Sequence, residues 1–451
     1  MRAERGCGTA CGLAGRLAWM ALASWLALAG CGGDDGSGDG SEHELPWLAR
    51  RASDVRELDF FRDVEIVRLT RAEFQAQAAE NADELDDAEL REFSDTFGRL
   101  GFFPLDADLR PILAGSSDWV GASYSATSKL ITLVEDEPGD AADSIQVHEY
   151  VHALQDQYFD LNAFDGSTSD EFLARRAVVE GDATLAEARF VAQTEFGGEL
   201  DDWDWPALLG SFQERSTELL EGAAFPLFAD YPSFVYRYGL EYTAKNLLSP
   251  HLYALPPHNW SLEDELFTER PPTTTRQVIS VEFEVRQVEL VGVDAVPVEL
   301  EGRLEAAGWD TLGAWYAYLL FYELSPFRGP TVLADLWRGD RVLFVRDPAR
   351  SGAVATVWGS AWAGEGTAIK VAAALDALYG RTPSENRPQS GTAADGEAVW
   401  LERRDNRVVV IKNLDPELAE PMADAAFAPP ATARAARSRP PLGWRIRDLI
   451  E

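Results

Sequence analysis

The stretch Asp143-Ser-Ile-Gln-Val-His-Glu-Tyr-Val-His-Ala-Leu-Gln-Asp-Gln157 constrains this chain more than any other. Asp143 and Gln146 have the spacing of a capping box and follow the turn-like Glu137-Pro-Gly-Asp140, so a helix is expected to start at Asp143. Ile145, Val147, Val151 and Leu154 supply it with an apolar surface to bury. In such a helix His148 and His152 stand one turn apart on the same face. Two neutral imidazoles at that separation can bind one Zn²⁺, and Glu149 can reach a water at the metal's open position. The chain has only five histidines. A chance H-E-x-x-H then has odds on the order of one in a hundred or less. Two core histidines without a metal are the alternative.

A hydrolytic zinc site needs three protein ligands and one open position. Glu180 is the strongest third candidate. It lies in Phe172-Leu-Ala-Arg-Arg-Ala-Val-Val-Glu-Gly-Asp-Ala-Thr-Leu-Ala-Glu-Ala-Arg-Phe190, where Ala177, Leu185 and Ala188 suit a second buried helix. A carboxylate there is out of place unless paired or bound to metal. Gly181 would let another backbone, or the metal helix, approach closely. Glu171 and Glu187 are rivals for the role, and a surface position for Glu180 is the plain alternative.

His148-Glu-Tyr-Val-His-Ala-Leu-Gln-Asp-Gln157 followed by Val179-Glu-Gly-Asp-Ala-Thr184 resembles the gluzincin class of zinc metallopeptidases. The likeness is to the compact minigluzincin-like proteins of bacteria and archaea, and it is tight over residues 118–190. It implies His148, His152 and Glu180 as zinc ligands and Glu149 as general base. It also implies an α+β zincin core, with a twisted sheet over the metal helix and a second helix bringing in the glutamate. Asp182 falls near where such proteins place an acid that orients a ligand histidine. Residues 118–134 look like a hairpin turning at Ser125–Ser128. In peptidases of this type an edge strand beside the metal pairs with an extended peptide, although the hairpin could equally just close the sheet. A hydrolase of this kind commonly stabilises the oxyanion with a Tyr or His. Tyr236 and Tyr238 are the preferred candidates, and Tyr242, His251 and His258 the others; packing is the competing role for each. Phe234–Gly239, Arg270-Pro-Pro-Thr-Thr-Thr275, Asp310-Thr-Leu-Gly313 and Trp337-Arg-Gly-Asp-Arg341 resemble landmarks of similar bacterial sequences but fix no reaction.

The amino terminus reads as an export signal. Arg2, Arg5 and Arg16 precede the short apolar run Leu17–Leu28, and Leu28-Ala-Gly-Cys31 resembles a bacterial lipobox. That resemblance implies cleavage before Cys31, lipidation of Cys31 and anchoring to a lipid bilayer at the cell envelope, on a periplasmic or outer-surface face. A plain secretory signal is the alternative. Residues 32–45 form an acidic, Gly/Ser-rich tether. Of the three cysteines only Cys31 would survive processing. Internal disulfides and cysteine zinc ligands are then excluded. The formal charge of −36, with lysine only at 129, 245, 370 and 412, argues against nucleic acid as a partner and leaves membrane attachment to the acyl anchor.

The expected organisation is a lead-in over 46–117, a zincin-like catalytic domain over 118–265 and an antiparallel α+β accessory domain over 266–430, followed by a tail. In the lead-in, Val64–Leu69 alternates like a strand and Thr70-Arg-Ala-Glu73 reads as a helix start. Residues 200–260 suit a helical wall. Residues 278–300, as in Ser280–Val285, are β-like. A strand pair at 341–345 and 353–358, a helix over 366–378 and a hairpin over 398–411 turning at Asp405-Asn406 complete a ββα-ββα order. The expected activity is peptide-bond hydrolysis on a peptide or protein substrate with Zn²⁺ and no organic cofactor. The alternative is a non-catalytic envelope lipoprotein with a structural zinc, serving as a binding or assembly module.

Overall fold

Thr70 caps its helix as its spacing predicts: its side chain accepts from Glu73 N and its backbone N–H donates to Glu73 Oε2. The surrounding structure is a computed structural model describing residues 45–428, apart from 116–119, 136–139, 199–203, 248–258, 284–295, 325, 351–352 and 385–387. Cys31 with the export segment, His251, His258 and the tail from 431 lie outside the described residues.

The chain is a mixed α+β protein. Its amino-terminal part runs α1 (Trp47–Arg56), β1 (Glu65–Leu69), α2 (Arg71–Glu84), α3 (Asp87–Phe93), α4 (Leu109–Gly115), β2 (Ala122–Ser125) and β3 (Leu130–Val134). Five longer or central helices follow: α5 (Asp140–Phe159), α6 (Ser169–Glu195), α7 (Trp205–Gly222), α8 (Asp230–Leu247) and α9 (Ser261–Thr268). Next come α10 (Thr275–Ser280), β4 (Glu305–Asp310), α11 (Gly313–Leu320) and α12 (Pro330–Leu336). The last part is β5 (Trp337–Asp347), β6 (Ala353–Trp362), α13 (Glu365–Leu378), β7 (Gln389–Thr392), β8 (Ala398–Arg404), β9 (Arg407–Lys412) and α14 (Pro416–Phe427).

The first sheet has the order β1-β3-β2, with β1 parallel and β2 antiparallel to β3. The expected hairpin is therefore present, and β2 is an edge strand. The second sheet is antiparallel, with six strands in the order β4-β5-β6-β9-β8-β7. Its ββα units follow the expected order, but β4 and β7 were not legible. Glu305-Ala-Ala-Gly-Trp-Asp310 and Gln389-Ser-Gly-Thr392 are rich in residues that disfavour strands, and pairing with a neighbour decides their conformation. Two expectations need correction. The metal helix starts at Asp140, three residues before the expected cap, because Ala141 and Ala142 extend it with strong helix formers. Ser280 ends a helix rather than opening a strand, with Val281 at φ 51° closing α10.

The site is positioned by the crossing of α6 and α8. A Cβ built on Gly181 would lie 2.4 Å from the Gly239 carbonyl carbon, and one on Gly239 would lie 2.1 Å from the Ala177 oxygen. Gly181 thus admits a second backbone, as its place in the sequence suggests, and that backbone belongs to α8. Gly239→Ala is expected to lower stability by at least the upper end of the roughly 1–3 kcal/mol typical of overpacking. Denaturant unfolding checks this, and an unshifted midpoint would refute the crossing.

The start of α6 is pinned by two of the landmark segments, and a third braces one of them. Asp310 accepts from Ser169 N at 2.8 Å and Ser169 Oγ at 2.5 Å. Asp170 accepts from Thr275 N and Oγ1 at 2.7 and 2.6 Å. Asp340 accepts from Gly313 N and Trp358 Nε1. These motifs therefore serve architecture: they fix the helix that carries Glu180. Burial pushes Asp170 up to about 8 and Asp310 up to about 7, against the hydrogen bonds that favour their charged forms. The unfolded chain ionises these acids near pH 4. Between that pH and the raised folded values the native state holds more protons, so stability falls as pH rises through about 4–7. Asp310→Asn, which mimics the protonated acid, is expected to flatten that loss in unfolding measured across the window. An unchanged slope would contradict the assignment.

Candidate metal centre

Helix α5 lies against β2 and β3, and the residues after His152 tie it to its surroundings. Asp156 Oδ2 accepts from Tyr124 OH and Lys129 Nζ, both at 2.7 Å, which fixes the β2–β3 hairpin. Gln157 Oε1 accepts from the backbone of Phe61 and Arg62, and Tyr158 OH accepts from Asp59 N. The segment after α1 is thereby strapped to the end of the metal helix.

On the buried face of α5 the two imidazoles turn the same way. His148 Nδ1 lies 3.2 Å from Glu187 Oε2, and His152 Nδ1 lies 2.8 Å from Gln155 Oε1. Both Nε2 atoms therefore point inward, where they converge on Glu180 Oε2 at 3.3 and 3.4 Å. His148, His152 and Glu180 form a buried group able to hold a metal ion. The spacing is informative. Two ligands each about 2.0–2.1 Å from one tetrahedral ion stand about 3.3 Å apart.

Charge points the same way. Burial works against charge on His148, yet hydrogen bonds to the Glu180 and Glu187 carboxylates hold its imidazole well above the usual range. Burial likewise opposes charge on His152, and the Glu180 carboxylate raises it. Glu180 is held well below the ordinary carboxylate range, against its own burial, by the two histidines. The carboxylates around the two imidazoles favour positive charge at the centre of the cluster, which is where a dication would sit. The donor set, two imidazole nitrogens and a carboxylate oxygen, suits zinc.

Glu149 stands beside this group, and burial is the main cause raising its pKa. Its Oε2 is buried without a hydrogen-bond partner among the described residues. A carboxylate oxygen so placed is available to accept a proton. Glu180 Oε1 accepts from Tyr231 OH at 2.6 Å, which fixes the carboxylate's second oxygen. Tyr236 lies on the same side, its ring 6.3 Å from that of His148, with burial and the nearby Glu180 raising its pKa well above normal.

Residues 302–423 match a family model described as a domain of unknown function, DUF8575. The matched segment covers the second sheet and most of its helices, and does not include the metal-site residues. No curated protein and no solved structure matches the chain.

Two of the expected site residues sit elsewhere. Tyr238 packs on Phe234 and Trp315 and beneath Arg237. It is two helix positions from Tyr236, about 200° around α8, so the two cannot share a face. Asp182 touches neither histidine: it accepts from Gln155 Nε2 at 2.7 Å and acts one residue behind His152. Of the rival ligands, Glu171 binds Ser167 and Arg175. Glu187 supports His148 and accepts from Ser144 Oγ. Tyr242 reaches the Glu282 carbonyl, away from the site. Gln155 and Tyr231 were missed. Gln155 lies one turn beyond His152, a spacing that could have revealed it. Nothing local marks Tyr231, which arrives through the fold.

Proposed function

We propose that this chain is a zinc-dependent metallopeptidase of the gluzincin type, exported to the cell envelope and anchored there through Cys31. The observation that carries the reading is the convergence of His148 Nε2 and His152 Nε2 on Glu180 Oε2 at a metal's ligand spacing, with Glu149 Oε2 alongside and without a partner among the described residues. Sheet β1-β3-β2 against α5, with α6 bringing in Glu180, is in keeping with a zincin core.

When bound, zinc on His148, His152 and Glu180 supplies Lewis acidity that acidifies water and polarises a carbonyl. Glu149 takes the proton of the attacking water and returns it to the leaving amine. Its burial favours this work, since a base with a raised pKa is closer to the operating pH. Tyr236 is the candidate donor to the developing oxyanion, and Tyr231 holds Glu180 in place. An extended peptide would pair along the edge strand β2, whose position Asp156 fixes through Tyr124. Three convergent donors among the described residues suit an open, reactive site better than the four of a closed structural one.

The ligand assignment is tested by zinc affinity in two single variants. Glu187→Ala, which removes the support behind His148 but no ligand, is expected to weaken zinc binding 10- to 100-fold. Glu180→Ala removes a ligand and is expected to weaken it far more. The reverse order would move the third ligand to Glu187.

A further inference from the structure

We infer that Gln155, held by Asp182 and Arg56, is the positioning residue that presents Nε2 of His152 to the metal. This inference rests on the metal reading of the same site and adds a device that reaches it from the amino-terminal helix.

The Gln155 amide is fully buried, and all three of its polar bonds are made. Its Nε2 donates to Val179 O at 2.9 Å and to Asp182 Oδ2 at 2.7 Å, while Oε1 faces His152 Nδ1. The chemistry of the partners dictates this orientation. Flipping the amide would set its oxygen against two acceptors, a carbonyl and a carboxylate. Gln155 Oε1 is therefore the acceptor, His152 Nδ1 carries the hydrogen in the neutral ring, and the Nε2 lone pair is left for a metal.

The acceptor that locks the amide is itself locked. Arg56 Nε lies 2.9 Å from the Asp182 carboxylate, and its NH2 donates to Asp264 Oδ1 at 2.7 Å. The guanidinium also covers the Trp260 ring at 4.8 Å. Arg56, Asp182 and Gln155 are all 0% exposed. A buried ion pair is weak evidence for stability, since well-packed apolar groups often serve as well. A role in orienting Gln155 gives this pair a reason to be there. The relay runs from the end of α1, through α6, to α5 and the ligand histidine.

The two histidines are supported differently. His148 backs onto the Glu187 carboxylate and His152 onto a neutral amide. With Glu149, Glu180 and Glu187 already around the site, an amide orients the second ring without adding a fourth negative charge there.

The test reads the tautomer directly. Long-range ¹H–¹⁵N spectra of histidine-labelled, metal-free protein, at a pH where the ring is neutral, should show His152 as the Nδ1–H form. Gln155→Leu should redistribute it toward the Nε2–H form and raise the zinc Kd 10- to 100-fold. Gln155→Glu, close in shape, covers the case in which the leucine variant does not fold; it should perturb the same signal and affinity. Gln157→Leu, on the same helix, should change neither. A wild-type His152 in the Nε2–H form would overturn the inference. So would a tautomer and affinity unchanged by the Gln155 variants. Absence of zinc binding in wild type beside the expected tautomer change would instead refute the metal reading and leave the positioning role standing.

Discussion

Glu149→Gln is expected to bind zinc within a few-fold of wild type and to lose peptide hydrolysis. The substitution keeps the shape of a side chain that does not belong to the ligand group, so the three donors stay in place. What it removes is basicity. The Glu149 carboxylate is buried, its Oε2 has no partner among the described residues, and burial makes it a better base than an exposed glutamate. An amide cannot take the proton of the attacking water. General-base catalysis is worth about 10²–10⁴ in rate, so cleavage of a mixed peptide library should fall by at least that factor. Two results would count against the mechanism. Full activity in the variant would remove Glu149 from it, and loss of zinc together with activity would make Glu149 part of the metal's own binding.

The centre of this site was legible because its chemistry is local. His148, Glu149 and His152 share one helix, and their geometry follows from helical spacing alone. Glu180 was legible for another reason: a carboxylate among small apolar residues needs a partner. The hairpin and the capped start of α2 also follow from short-range rules of turn and cap. What escaped depends on contacts between distant segments. Arg56 meets Asp182 across 126 positions, and nothing near Arg56 marks it as buried. Tyr236 and Tyr238 looked equivalent until α8 acquired a fixed rotation against α6, set by the Gly181–Gly239 contact. The landmark segments ending at Thr275 and starting at Asp310 gave no hint that they meet at Asp170 and Ser169. Asp310 reaches across from the second sheet to Ser169 at the start of α6, and Thr275 reaches Asp170 from α10.

The second large effect concerns the metal itself. His148→Ala removes one of three donors and exposes the charge imbalance that the cluster otherwise resolves. Glu180 then loses one of the two imidazoles that hold it ionised in a buried place. Zinc affinity should collapse, and with it the stabilisation that a bound ion gives the native state. Added zinc should therefore raise the thermal midpoint of the wild-type protein and leave that of His148→Ala unmoved.

The most direct measurement is metal content by elemental analysis of the purified body, from Glu42 onward, for wild type beside His148→Ala. Zinc near one per chain in the wild type, absent from the variant, is the expected result. No zinc in either protein, even after reconstitution, would make the two histidines structural and contradict the metallopeptidase reading.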